Sequence, residues 1–133
     1  MIPPFNDDGY LPTGIHGATL DEIAARFGQE SELRQVQMES LRWLVELARR
    51  AGVQRIVVNG SFVTDRLEPN DVDCVLLIEP GFPQDAAAEA ELIAGLPFIN
   101  FELVDIEGFR QFTEKTYATD RDLTPKGMVE VMS

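Results

Sequence analysis

The sequence has one cysteine, one histidine, only two lysines and no long apolar run. With Cys74 alone, no disulfide can form within the chain, and the composition gives no support for secretion. No apolar stretch approaches the ~20 residues that span a bilayer. The first residues, MIPPFNDDGY, lack the basic and then apolar segments of a signal peptide. We therefore expect a soluble, cytoplasmic protein with no membrane partner.

Positive charge is scarce, because 11 Lys and Arg stand against 23 Asp and Glu, giving a formal net charge of −12. That balance argues against a free-standing nucleic-acid-binding protein, since attraction to phosphate needs a basic field. A nucleotide is not excluded, because a metal ion can screen an acidic site. The length of 133 residues predicts a single domain over residues 1–133. Residues 1–17, rich in Pro, Gly and Asp, predict an extended N-terminal arm, either free or packed on the domain.

Capping signals and periodicity predict two helices in the first half of the chain. Thr19 with Glu22 fits a capping box, which predicts a short helix over residues 20–27 that ends at Gly28. Ser31 begins a longer helix that ends at Gly52, with apolar residues recurring every three or four positions.

The second half of the chain alternates between strand and helix. Residues 53–59 and 72–78 are near-continuous apolar runs, typical of strands covered on both faces. Further along, the pattern predicts in order a helix over 85–94, a strand over 98–106, a helix over 107–117 and an edge strand over 126–132. The predicted fold class is α/β (α+β), a mixed β-sheet flanked by helices.

Two aspartates one residue apart, Asp71 and Asp73, open the second apolar strand. Residues i and i+2 of a strand point to one face, so the two carboxylates repel each other unless a positive charge lies between them. Mg²⁺ meets that need, since it takes one or two protein carboxylates together with phosphate oxygens and water. Taken alone the pair is weak evidence, because Asp71 can belong to the preceding turn.

The preceding strand stops abruptly at Asn59-Gly60-Ser61. A glycine there permits a tight turn and close approach of a ligand, and free N–H groups at the start of a following short helix suit phosphate oxygens. Adjacent strands would then carry Gly60, Ser61 and the two aspartates to the same edge of the sheet, as a metal–nucleotide complex requires. The simpler interpretation of Gly60-Ser61 is an ordinary strand-to-helix turn.

A third carboxylate would complete a two-metal site, with ions ~3.5–4 Å apart. The strand predicted over residues 98–106 offers Glu102 and Asp105. Alternation places them on opposite faces, so at most one can take part. We favour Asp105, which interrupts an apolar run, and Glu102 stays the alternative.

The order Asn59-Gly60-Ser61, nine intervening residues, Asp71-Val72-Asp73 and a later strand with an acid resembles the nucleotidyltransferase superfamily that includes DNA polymerase beta. By size the chain is most similar to the minimal nucleotidyltransferases of bacteria and archaea. More narrowly, PPFNDDGYLPTGIHGATLDEIAARFG and NGSFVTDRLEPNDVDCVLL resemble an uncharacterised bacterial family related to that superfamily.

The resemblance implies a mixed sheet flanked by helices and a reaction in which a nucleoside triphosphate such as ATP donates a nucleotidyl group to a hydroxyl of a protein or RNA acceptor. It implies that Gly60 and Ser61 hold the triphosphate, and that Asp71 and Asp73 bind Mg²⁺. Asp105 would be the acceptor-side carboxylate and a ligand of a second metal ion.

Arg66 and Lys126 are the candidates for further phosphate contacts. Arg66 can equally be a surface charge, and Lys126 can equally protect an edge strand. The chain lacks the helical domain that grips base and acceptor in larger relatives. This absence implies a homodimer or a partner protein, as in toxin–antitoxin pairs. The alternative to catalysis is a catalytically silent, antitoxin-like module whose acidic surface neutralises a basic partner protein.

Overall fold

A computed structural model describes residues 1–132, which form one five-stranded sheet with helices packed on both of its faces. The strands are β1 (Ile15–Thr19), β2 (Arg55–Asn59), β3 (Val72–Leu77), β4 (Ile99–Val104) and β5 (Met128–Met132). The α-helices are α1 (Leu20–Phe27), α2 (Glu32–Ala51), α3 (Ala86–Ala94) and α4 (Ile106–Gln111). A 3₁₀ turn covers Gly60–Val63, and one π-helical turn, Phe112–Thr116, continues α4.

The sheet is mixed, with strand order β1-β5-β2-β3-β4. β2 runs antiparallel to both of its neighbours, whereas β1 pairs parallel with β5 and β4 pairs parallel with β3. The predicted fold class, a mixed sheet flanked by helices, is confirmed.

The two faces of the sheet carry cores of different size. The main core lies under α1, α2 and α3 and includes Ile56, Val58 and Cys74. The smaller core lies on the opposite face, where Val57 and Val75 pack against Phe109 of α4. Because β2 and β3 are covered on both sides, their sequences are nearly continuous apolar runs instead of alternating.

The caps predicted for the first two helices are confirmed. The Thr19 hydroxyl accepts from the backbone N–H of Glu22 at 3.2 Å, and the Glu22 carboxylate accepts from the N–H of Thr19 at 3.0 Å. Ser31 caps α2 by accepting from the N–H of Arg34. α2 ends at Gly52, whose φ of 99° lies in the left-handed region that glycine tolerates.

One prediction about the sheet edge is wrong: the strand near the C-terminus is not an edge, because β1 and β2 flank β5 on its two sides. β1 was also not predicted, and its first residues belong to the arm over residues 1–17. The glycines at 14 and 17 are typical of turns, so the local sequence pattern does not predict β1. Its partner lies more than a hundred residues away, at Ile15 opposite Met128, so no local pattern indicates the pairing.

The arm packs on the domain. The Leu11 side chain is fully buried in the main core, and the Tyr10 hydroxyl donates to the Asp120 carboxylate at 2.7 Å. The backbone N–H of Gly127 donates to the carbonyl of Leu11, and that of Asp65 donates to the carbonyl of Gly9. These bonds bring the arm beside the turn that follows β2.

Membrane-spanning helices do not occur in the part of the chain that the structure describes, since no helix there has both the length and the apolar character that crossing requires.

Candidate active site

The turn after β2 lies directly against the start of β3. Asn59 and Asp73 are opposite residues of the antiparallel pair β2–β3, so the chain reaches Gly60 beside the Asp73 carboxylate. Gly60 has a φ of 77°, and a Cβ built on it would collide with Oδ2 of Asp73. Only glycine combines this left-handed backbone with so close an approach of a carboxylate. The predicted meeting of Gly60-Ser61 with Asp73 at one edge of the sheet is therefore present.

We expect Gly60→Ala to cost more stability than left-handed strain alone. The control is Gly81→Ala, where φ is 100° but nothing lies within 4 Å of the new Cβ, so about 1–2 kcal/mol of strain is the whole cost. At Gly60 the collision with Asp73 should add at least about 1 kcal/mol. Urea unfolding of the two variants measures the difference, and equal losses would show that the carboxylate moves away freely.

Burial raises the pKa of the Asp73 carboxyl, and the neighbouring charge of Asp71 raises it further. Two groups act in the other direction: Asn100, whose Nδ2 donates a long hydrogen bond of 3.5 Å to Oδ1 of Asp73, and the ammonium of Lys126. The balance leaves the pKa above its ordinary value. The ionised Asp73 carboxylate is thus poorly solvated in its buried position, and an added cation would stabilise it.

Asn59 is a buried polar residue that the sequence analysis did not assign to the site. Its side chain is 0% exposed, and neither Oδ1 nor Nδ2 has a hydrogen-bond partner among residues 1–132. It lies on the same face as Asp73, opposite which it pairs. Buried amides are nearly always hydrogen-bonded, so a polar ligand at this place would supply the partners that the Asn59 amide lacks. An asparagine that ends an apolar strand, in VVN, was the available signal.

Three of the predicted phosphate-binding residues line one cavity. Ser61, Arg66 and Lys126 surround a space of about 280 Å³ next to the turn. The N-terminal arm contributes Asp8 and Tyr10 to the same cavity. The structure therefore brings together residues from the β2 turn, the following loop, the arm and the segment before β5. Lys126 lines this cavity, and its positive charge lowers the pKa of Asp73.

Asp105 lies far from this cluster. β3 and β4 are parallel and Asp73 pairs with Asn100, so Asp105, five residues further on, follows the opposite end of β4, about 16 Å along the strand direction. Its carboxylate accepts from the N–H of Gly108 at 2.9 Å and caps α4. The structure does not bring Asp105 to Asp71 and Asp73.

Glu102 lies nearer to the cluster than Asp105 does. It pairs with Val75, two residues along β3 from Asp73, and therefore shares the face of Asp73 and Asn100. Tyr117 is the common neighbour: burial raises the pKa of its phenol, and the charges of Asp73 and Glu102 raise it further. Tyr117 and Asn100 were not predicted, since nothing local distinguishes either from a surface residue.

A preformed three-residue metal site is not found: among residues 1–132, no three His, Cys, Asp or Glu side chains lie close enough to hold one ion. The donors that fit Mg²⁺ are the hard carboxylate oxygens of Asp71 and Asp73. Two carboxylates suffice for Mg²⁺ when phosphate oxygens and water complete its shell. The crowded Gly60 turn and the unpartnered Asn59 amide are consistent with a ligand at this position.

In a comparison with known proteins, residues 3–132 match the family model described as "Family of unknown function (DUF6932)". No curated protein and no solved structure matches the chain.

Proposed function

The chain belongs to the family of unknown function DUF6932, and we propose that it is a Mg²⁺-dependent nucleotidyltransferase. In this proposal a nucleoside triphosphate donates a nucleotidyl group to a hydroxyl of a protein or RNA acceptor. The sequence resemblance described above motivates the reaction class. The closeness of Gly60 to the Asp73 carboxylate supports the proposal. Nucleotide binding is the property to test first.

The observation that carries the proposal is the contact between Gly60 and the Asp73 carboxylate. A backbone turn suited to phosphate and a carboxylate suited to a cation meet there at one edge of the sheet. An ordinary strand-to-helix turn has no need of a carboxylate packed on its glycine. Nor does it need a buried amide such as Asn59, whose polar atoms have no partner in residues 1–132.

Each residue has a role in this scheme. Backbone N–H groups at Gly60 and Ser61 bind the triphosphate, and Arg66 and Lys126, which line the adjacent cavity, offset its charge. Asp71 and Asp73 would hold Mg²⁺, which supplies charge neutralisation for the phosphates when bound. Because burial raises the pKa of Asp73, protons compete with Mg²⁺ for its carboxylate more strongly than they do for that of an exposed aspartate.

Glu102 replaces Asp105 as the acceptor-side carboxylate in this proposal. It lies on the face of Asp73, whereas the Asp105 carboxylate is engaged in capping α4. A hydroxyl that attacks from this face needs a general base within reach, and an exposed glutamate carboxylate can take its proton.

We expect substitutions of Glu102 and Asp105 to have different effects on transfer and stability. Glu102→Gln should lower the transfer rate about 10²–10⁴-fold without loss of stability, because it removes the general base only. Asp105→Ala should lower the free energy of unfolding by about 1 kcal/mol through the lost cap and leave transfer almost unchanged. A radiolabel-transfer assay with parallel urea unfolding measures both. Asp105→Asn can still cap α4, so a loss of transfer in this variant would show that Asp105 is the acceptor-side carboxylate.

A second candidate function is a catalytically silent module that binds a basic partner protein. The observation that favours it is charge: residues 67–109 contain ten Asp and Glu and no Lys or Arg. Such a module would need no nucleotide. The enzyme, by contrast, would be completed by a homodimer or by a partner protein, as in a toxin–antitoxin pair.

The deciding experiment is a calorimetric titration of ATP, GTP, CTP and UTP, each with Mg²⁺ and again with EDTA. Binding of one nucleotide that requires Mg²⁺ supports the enzyme and identifies the donor for a transfer assay. Binding that is equal in EDTA would contradict the metal role of Asp71 and Asp73. No binding of any of the four would favour the silent module.

A further inference from the structure

An apolar groove opens on the outer side of the helical layer. It has a volume of about 400 Å³ and lies between α2 and the turn that precedes β4. Val36 and Trp43 of α2 form one wall, and Leu96 and Pro97 form the other. α2 packs over the main core, whereas Asp73 lies on the face of the smaller core, so the groove and the Asp73 carboxylate lie on opposite faces of the sheet.

The apolar residues of this groove are unusually exposed. Trp43 is the only tryptophan of the chain and is 62% exposed, and Val36 is 44% exposed. On the neighbouring helix α3, Ile93 is also 62% exposed. Single exposed apolar residues need no explanation, but a groove that combines a tryptophan with aliphatic side chains is typical of a protein interface.

The surroundings of the groove are acidic. Glu39 lines it, and α3 belongs to the stretch 67–109 that contains ten acidic residues and no basic one. The nearby cations of α2 are already engaged: Arg42 pairs with Asp21 at 3.2 Å and Arg50 with Glu46 at 3.9 Å. An apolar floor with an acidic rim complements a helix that has one apolar and one basic face.

We propose that this groove docks a basic amphipathic helix of a partner protein, with large apolar side chains packed against Trp43. A second copy of the chain fits poorly, because two copies would bring the same acidic rims together in a molecule of net charge −12. An anionic membrane surface is repelled for the same reason. The docking requires no nucleotide and stands whether or not the opposite face is catalytic.

Trp43 reports on its own environment, since no other tryptophan contributes to the emission. The probe is an amphipathic peptide of about five helical turns with leucine on one face and lysine on the other. We expect it to shift the Trp43 emission to the blue in a saturable way and to bind more weakly as salt is added. A peptide with glutamate for lysine, and a scrambled lysine peptide, should leave the emission unchanged.

Matched variants assign the binding to the groove. Val36→Asn and Glu39→Lys should each weaken the lysine peptide at least about tenfold. Ile106→Asn and Glu107→Lys make the same changes on exposed residues of α4, on the other face, and should change affinity less than about twofold. Equal effects of the two pairs, or no shift with the lysine peptide, would overturn the proposal. A blue shift when the protein alone is concentrated would show that the groove binds a second copy of the chain instead of a partner helix.

Discussion

Replacing Arg34 with methionine is expected to lower the free energy of unfolding by about 3–5 kcal/mol, the largest stability loss we predict. The Arg34 side chain is 2% exposed and donates to four backbone carbonyls. These belong to Phe27 at 3.0 Å, Phe62 at 2.7 Å, Thr64 at 3.0 Å and Arg66 at 3.0 Å. Methionine fills a similar space but leaves these buried acceptors unpaired, which costs the desolvation of each.

Urea unfolding measures this loss, and Arg42→Met is the control on the same helix. The Arg42 side chain is 45% exposed and pairs with an exposed Asp21, so its removal should change stability by less than about 1 kcal/mol. Arg34→Lys should fall between the two, since an ammonium cannot reach all four carbonyls from one point. A loss for Arg34→Met no greater than for Arg42→Met would mean that the carbonyls find other donors.

Arg34 also connects the fold to the candidate site. Three of its four acceptors, in Phe62, Thr64 and Arg66, belong to the segment that leaves Ser61. A single guanidinium on α2 thus fixes the loop that forms one side of the Ser61 cavity. No local pattern indicates this role, because an arginine near the start of a helix is ordinarily a surface charge.

Local signals account for what could be predicted from the sequence. The Thr19 capping box, the Gly52 helix end and the apolar runs of β2 and β3 each depend on a few neighbouring residues, and each is confirmed. The predicted closeness of Gly60 to Asp73 is also present, since consecutive strands commonly pair.

Long-range pairing accounts for what could not be predicted. Strand alternation assigns a side chain to a face of the sheet, but the direction of pairing decides at which end it lies. Because β4 runs parallel to β3, the end of β4 that bears Asp105 is the far end from Asp73, and Glu102 in mid-strand lies nearer. β1 was missed for the same reason, since it pairs with β5, at the other end of the chain.

Joint replacement of Asp71 and Asp73 by asparagine is expected to abolish nucleotidyl transfer, with a fall of at least about 100-fold, and to leave the fold intact. Amide side chains keep the shape of the site but remove the two charges that would hold Mg²⁺ against a triphosphate. The transfer assay uses the donor nucleotide found by calorimetry, and Asp7→Asn on the exposed arm is the control for charge alone. Transfer retained by the double variant would refute the metal role.

A stability measurement shows whether transfer is lost with the metal-binding carboxylates or because the fold is damaged. The direction of the stability change follows from the pKa of Asp73. Burial raises that pKa in the folded state, so the fold binds this proton more tightly than the unfolded chain does. The ionised carboxylate therefore weakens the metal-free protein above the raised pKa, and the penalty vanishes as the pH falls below the unfolded value. Asp73→Asn should accordingly raise the melting temperature in EDTA at pH 7 and have no such effect in strong acid. A lower melting temperature at pH 7 would show instead that the hydrogen bond from Asn100 outweighs the burial of the charge.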